Sequence, residues 1–255
     1  MDHLKVKIDS NLKDFFNILN GLPDYIAIEE MTGCDPCIDQ IKTGLMNLID
    51  TGMKLNLKRI SAAIQQTSVH YLELAQILKD LGFQPHASKV VVYRDLKKVQ
   101  SNKDYKWESL SKGVLTEGDF KKFWERCMSG SANAPSTLTM DEHLQSVKSE
   151  LGEAWEDACN LISLNGCPIG ISIPHIEPGT ADEGRLFYFG ILPEERGKGH
   201  SSPIHYQSLN KLKQIGASYY IGSTHESNIK MQKVFLRNGC EIKGKIESFY
   251  YYFPK

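Results

Sequence analysis

In the second half of this 255-residue chain, apolar positions follow two rhythms, and each change of rhythm marks an element. After an opening strand near Trp107, "LTEGDFKKFWERC" predicts a helix starting at Thr116 with Asp119 three residues on. "LTMDEHLQSVKSEL" repeats that capping signal with Thr139 and Glu142. "CNLISLNGCPIGISIPHI" carries two β-rich runs around Asn165-Gly166, a dipeptide that supplies the positive φ angles of a tight hairpin. "EGRLFYFGIL" is a further strand. "SSPIHYQSLNKLKQIG" then places Ile204, Leu209, Leu212 and Ile215 at helical spacing and stops at Gly216. "ASYYIGST" predicts the next strand, followed by a helix over 228–236 and an aromatic strand ending at Phe253.

The same rhythm recurs near the middle of the chain. "KDLGFQPHASKVVVYRDL", residues 79–96, lies without gaps on "LRNGCEIKGKIESFYYYF", residues 236–253, matching Leu78 with Phe235, Gly82 with Gly239 and Tyr93 with Tyr250. Both read helix, glycine stop, strand, because a glycine takes the left-handed conformation that ends a helix. A repeat of this joint predicts two related domains joined at the polar segment "KKVQSNKDYK", residues 97–106, and the length suits two units.

Composition narrows the class. A hydrophobic fraction of 41% and a charged fraction of 24% are those of an ordinary soluble globular chain. With 30 basic against 31 acidic residues, a formal net charge of −1 gives no electrostatic case for nucleic acid or an anionic membrane as partner. The opening residues, MDHLKVKID, predict no signal peptide, and no stretch is long enough to span a bilayer. Six cysteines without a secretion signal predict reduced thiols in a cytoplasmic protein. Cys34 and Cys37 in "GCDPC" fit half a zinc site, a redox dithiol or a turn around Asp35-Pro36. Cys127, Cys159, Cys167 and Cys240 stand singly, so no second metal pair is evident and no metal is expected.

The candidate chemistry is at "ILPEERGKGHSSP", residues 191–203, where a strand ends at a proline, passes a basic glycine pair and opens a helix. Gly197 and Gly199 remove side chains where the backbone turns, so amides at the helix start are free to point outward. The helix N-terminus adds partial positive charge, and a phosphate is the natural guest. Arg196 and Lys198 add formal charge or sit solvated at the surface; the plain alternative is a basic glycine turn. A nucleotide P-loop is set aside because Gly199, not Ser or Thr, follows Lys198. A dinucleotide fingerprint fails at Ser202, which stands where the third glycine belongs.

These residues resemble the GCN5-related N-acetyltransferases, whose pyrophosphate loop reads Gln or Arg, any two, Gly, any, then Gly or Ala. Arg196, Gly199 and Ser201 occupy those positions. Asn228 in "SNIKMQKVFLRNGC" resembles the family's helix-opening Asn, with Cys240 replacing the usual aromatic; the resemblance covers roughly residues 107–253. It implies an α/β (α+β) fold with a mixed, mostly antiparallel sheet flanked by helices, in a tandem arrangement. Residues 1–100 would be a degenerate, shortened copy and residues 107–255 the acyl-coenzyme A-binding domain.

The resemblance further implies acetyl-CoA as cosubstrate and a primary amine of a small molecule or peptide as acceptor. The strand backbone at Phe189, Gly190 and Ile191 would hold the pantetheine arm, with Gly190 keeping the strand edge open. The loop Arg196, Gly197, Lys198, Gly199, His200, Ser201 and Ser202 would hold the pyrophosphate, and Asn228 would bond the arm or a nearby backbone group. The first half lacks such a loop, with Tyr71 where Asn228 aligns, so one coenzyme site is expected, and the first half either helps wall its acceptor pocket or only stabilises the fold. Many members place a Tyr seven residues after the Asn, where this chain has Phe235. His225 and Glu226 are the candidate bases, Tyr250 and Tyr188 the aromatic alternatives. A non-catalytic coenzyme A-binding or regulatory protein is the other reading.

Overall fold

The computed structural model describes residues 10–31, 33, 38–97, 99, 105–132, 136 and 138–254. Cys34, Cys37, the segment 1–9 and most of the polar segment 97–106 lie outside the described residues. In chain order the elements are α1 (Ser10–Lys13), β1 (Phe16–Gly21), β2 (Tyr25–Glu30), α2 (Ile38–Lys54), β3 (Arg59–Gln65), α3 (Tyr71–Asp80) and β4 (Gln84–Asp95). There follow β5 (Lys106–Ser109), α4 (Glu117–Met128), α5 (Met140–Leu151), α6 (Trp155–Ala158), β6 (Asn160–Leu164) and β7 (Cys167–Ile176). β8 (Glu183–Ile191), α7 (Ser201–Gln214), β9 (Tyr219–His225), α8 (Ile229–Arg237) and β10 (Glu241–Tyr252) complete the chain.

These elements form two compact units, Met1–Lys89 with Gly244–Lys255, and Val90–Lys243. The aromatic C-terminal strand therefore groups with the first unit, whereas the sequence reading kept it with the second. In the first unit the strand order is β1-β2-β3-β10, antiparallel except for the parallel pair β2–β3. β3 alternates strictly, burying Ile60, Ala62 and Ile64 against Leu45, Leu48 and Phe249. α2 presents Ile41, Leu45, Leu48 and Ile49 to that core at helical spacing.

In the second unit the order is β4-β9-β8-β7-β6-β5. β5 to β8 pair antiparallel, and β8 with β9 is parallel. The predicted hairpin is present: Asn165 and Gly166 have φ of 50° and 80°, and Leu164 pairs with Cys167. Both capping signals are realised, Thr116 accepting the Asp119 amide and Thr139 forming a full capping box with Glu142. One core gathers Phe120, Trp124, Leu144 and Val147 from α4 and α5 under Ile171 and Ile173 of β7. Another gathers Leu209, Leu212, Tyr220 and Phe235 with Val90, Val92, Leu96 and Val99.

That last set alters the reading of the 97–106 segment, because Leu96 and Val99 are core residues although polar neighbours surround them in sequence. The repeated joints do share a bonding pattern. Phe83 N donates to Leu78 O and Cys240 N to Phe235 O, with Gly82 and Gly239 at φ 91° and 69°. α7 buries Ile204, Leu209 and Leu212 as expected, but Ile215 is exposed because the helix ends at Gln214 and leaves it outside the apolar stripe.

Candidate functional site

β8 ends at Ile191, and a single 3₁₀ turn over Pro193–Glu195 redirects the chain before the glycine pair. Gly197 and Gly199 both have positive φ, 80° and 88°, with Lys198 between them, and a Cβ on either would meet nothing within 4 Å. Both glycines are exposed, so this corner is open to a solute. Alternating left- and right-handed residues turn successive amides toward one side, the geometry of an anion nest. α7 follows at once with fourteen residues, and its N-cap His200 makes no side-chain cap hydrogen bond. The α7 amides are thus left without the side-chain acceptor that Thr116, Thr139 and Asn228 supply to other helices.

The side chains around the corner hold it in shape. The Arg196 guanidinium donates to three backbone carbonyls, Ile191 O at 3.1 Å, Gly130 O at 3.2 Å and Cys127 O at 2.8 Å. It clamps the end of β8 to the end of α4, so its donors are committed to the fold. Lys198 Nζ lies 3.0 Å from Glu195 Oε1 in an exposed ion pair beside the corner. His200 Nδ1 is 2.8 Å from the Tyr105 hydroxyl, and its Nε2 is 3.5 Å from Glu195 Oε2. Ser201 opens α7. Ser202 Oγ donates to Asn238 Oδ1, while Asn238 Nδ2 donates to Ser202 O and His205 Nδ1, each at 2.9 Å. This buried amide ties the first turn of α7 to the end of α8.

The strand before the corner is open on one side. β8 pairs with β7 through Phe189, Gly190 and Ile191, but among the described residues its pairing with β9 covers only Glu183–Gly184 against Tyr219–Tyr220. Beyond that point the two parallel strands make no further ladder pair among the described residues, so the ladder opens as a V toward their C-terminal ends, where the Ile191 carbonyl accepts from Arg196 Nε. A Cβ at Gly190 would come within 2.6 Å of the Tyr188 ring and hydroxyl, which fold over it. Burial raises the Tyr188 phenol far above its usual range, and its ring packs on Trp124.

Each of the expected catalytic residues has its own local partners. His225, half-buried at the end of β9, accepts the Ser227 amide on Nδ1 at 3.2 Å with Ser227 Oγ 2.7 Å away, so it closes a turn. Glu226 is exposed, and its carbonyl accepts from Gln232 Nε2. Asn228 caps α8, with Oδ1 accepting the Met231 amide and Nδ2 donating to Thr224 Oγ1. Tyr250 belongs to the first unit, stacked on His86 at 3.8 Å with Arg59 over its ring, and burial raises its phenol. Phe235 is a core residue against His205 and Tyr220.

No protein-family model matches the sequence, and no curated protein matches it either. Among solved structures, a GCN5-related N-acetyltransferase from Sphaerobacter thermophilus superposes with a TM-score of 0.61 at 15% identity, covering 93% of this chain and 76% of that one. One from Kribbella flavida gives 0.59 at 12%, covering 89% and 80%. A tandem GNAT protein from the clavulanic acid biosynthesis pathway gives 0.55 at 9%, covering 91% and 76%. The fold is that of the GCN5-related N-acetyltransferases. In this GNAT fold the glycine corner follows the C-terminal end of β8 in the second unit.

Sequence reasoning missed a buried polar cluster on the same unit. His175 Nε2 lies 3.3 Å from Glu177 Oε2, and Arg185 Nε lies 3.3 Å from that oxygen and 2.6 Å from Glu183 Oε1. Tyr219 donates to Glu183 Oε2 at 3.2 Å. The signal was the spacing in "PHIEP", where extended chain brings residues two apart to one face. No group of His, Cys, Asp and Glu able to hold a metal ion is found among the described residues. Among these residues no helix is long and apolar enough to cross a membrane.

Proposed function

We propose that this protein is an N-acetyltransferase that takes acetyl-CoA as cosubstrate and acylates a primary amine of a small molecule or peptide. The observation that carries the reading is the open glycine corner, Gly197 and Gly199 at positive φ leading into an α7 whose N-cap supplies no side-chain acceptor. The coenzyme, when bound, supplies a thioester carbonyl that a neutral amine attacks. The residues present fit such a guest. Amides from Gly197 to Ser202 would take the pyrophosphate, with the helix dipole and the Glu195-paired Lys198 adding attraction. The edge of β8 from Phe189 to Ile191, outside the ladder with β9, would pair with the pantetheine arm beside the Arg196-held Ile191 carbonyl.

Other side chains would act through the backbone they hold. Arg196 and Asn238 keep the corner and the first turn of α7 in place, and Asn228 starts α8. A non-catalytic coenzyme-binding protein is the second reading, favoured by Phe235, which puts an apolar core side chain where a proton donor would stand.

Calorimetric titration with acetyl-CoA, and thiol release over a panel of amines, separates the two readings. Gly199→Glu is expected to abolish coenzyme binding in a folded protein, because the side chain would sit at a positive φ with its carboxylate in the nest. Unchanged affinity in that variant would remove the corner from the site. Binding without turnover of any amine would favour the non-catalytic reading.

A further inference from the structure

We infer that His175, oriented by Glu177, is the group that takes the proton from the acceptor amine, at the narrow end of the V between β8 and β9. This rests on the acyltransferase reading and extends it to the proton.

Geometry separates the two ends of the site. Among the described residues the β8–β9 ladder covers Glu183–Gly184 and Tyr219–Tyr220, so these residues mark the apex; Ile191, the glycine corner and His225 lie toward the C-terminal ends of the two strands. From Ile191 back to Arg185 the strand covers about 20 Å at ~3.3 Å per residue. An extended pantetheine arm anchored by its phosphates at the corner runs along β8 toward the apex, which places the thioester away from His225. The His175 cluster stands at the apex itself: His175 is opposite Arg185 in the β7–β8 ladder, and Glu183 is the residue that pairs with Tyr219.

The cluster has the chemistry of an oriented base. Glu177 accepts only, so the proton shared at 3.3 Å sits on His175 Nε2, which leaves the Nδ1 lone pair free. Nδ1 is buried and has no hydrogen-bond partner, an unusual state for a polar atom in a chain that pairs its other polar side chains here. Side-chain exposures of 7% for His175 and 5% for Glu177 make the pair a dry one. The charged and titratable groups around it are Glu177 at the end of β7, Arg185 and Glu183 on β8, and Tyr219 on β9 through Glu183; the Phe187 ring lies beside the imidazole. Two carboxylates face one guanidinium, so a proton gained by the imidazole brings the cluster to neutrality. A carboxylate that fixes the tautomer of a histidine and stabilises its imidazolium is the arrangement that nucleophile-activating dyads use.

The step balances. The amine nitrogen forms a bond to the acyl carbon, the C–S bond breaks with its electron pair on sulfur, and the amine proton passes to His175 Nδ1. The imidazolium then returns the proton to solvent as the thiolate is released and protonated.

The full-length protein is assayed with acetyl-CoA and whichever amine gives thiol release. For His175→Gln the expectation is a kcat loss in the ~10² to 10⁴-fold range of general-base removal. The acidic limb of the kcat/KM profile should vanish, with acetyl-CoA affinity within twofold of native by calorimetry. Glu177→Gln should move that limb to lower pH, because losing the carboxylate disfavours the imidazolium. Nitrogen-15 NMR of the imidazole supplies a readout independent of turnover: the Nε2–H tautomer, titrating at the midpoint of the kinetic limb. Full activity with the limb intact in His175→Gln, or an imidazole that does not titrate at that midpoint, overturns the inference while leaving the acyltransferase reading standing. If His175→Gln fails to fold, the Glu177→Gln profile and the NMR titration decide. A native protein that turns over no amine overturns both.

Discussion

His205 shows how one side chain can carry a condition-dependent stability. It is fully buried among Phe189, Tyr220 and Phe235, its Nδ1 accepts from Asn238, and its Nε2 has no partner. Burial, with Arg94 adding to it, pushes its pKa down to about 3. The unfolded chain holds this imidazole near ~6.5, so between the two values the unfolded state binds the extra proton. Its contribution is therefore complete above about pH 6.5 and is lost as pH falls toward 3, by up to ~1.4 kcal/mol per pH unit. Urea unfolding at pH 7 and pH 5 should show a larger loss in the native protein than in His205→Gln; equal losses would show that His205 does not titrate on unfolding. Arg196 makes a related point. From the sequence it was a candidate phosphate ligand, yet its donors reach carbonyls 66 and 69 residues away, partners that no local pattern reveals.

Elements whose ends are capped locally were readable, and α8 is the test of what such a cap does. Asn228 holds the Met231 amide and Thr224, so Asn228→Ala should cost about 1 kcal/mol of stability. In a unit of this size that corresponds to a melting shift of roughly 2–4 °C. Calorimetric acetyl-CoA affinity should change little if the side chain acts only as a cap, whereas a tenfold loss with an unchanged melting temperature would make Asn228 a direct ligand. The Thr116 and Thr139 caps and the Asn165-Gly166 hairpin were legible for the same reason, since each is closed by residues within three or four positions. Gly190 was legible as a special position, but the ring that also needs its space, Tyr188, bends over it only in the folded strand.

Across the chain, the compact units divide elsewhere than the polar segment indicated. Val90, Val92, Leu96 and Val99 lie in the core of the second unit with Leu209 and Phe235. A fragment beginning at Tyr105 lacks all four. Losing several buried aliphatic side chains, at ~2–5 kcal/mol for a large-to-small change at one site, exceeds much of the ~5–15 kcal/mol that holds a domain together. Such a fragment should show no cooperative thermal transition by circular dichroism, and a native-like transition would contradict this assignment of the core.

The main strands and helices of the second half, the caps, the hairpin and the glycine corner follow from the sequence alone, because each depends on backbone preference and on side chains within a turn or so. The positive φ of Gly197 and Gly199 and the start of α7 at Ser201 are of this kind. Strand pairing is not, since β10 joins β3 in the first unit through registers between residues far apart in the chain. Nor is the role of a polar side chain. His225 stood out because it ends a strand beside a helix cap, but its Nδ1 is taken by the turn that follows. His175 drew no attention among apolar neighbours, and it became a candidate only when folding set Glu177, Arg185 and Glu183 around it and excluded water. Burial and long-range partners set the chemistry of such groups, and those are properties of the packed chain rather than of any short stretch of it.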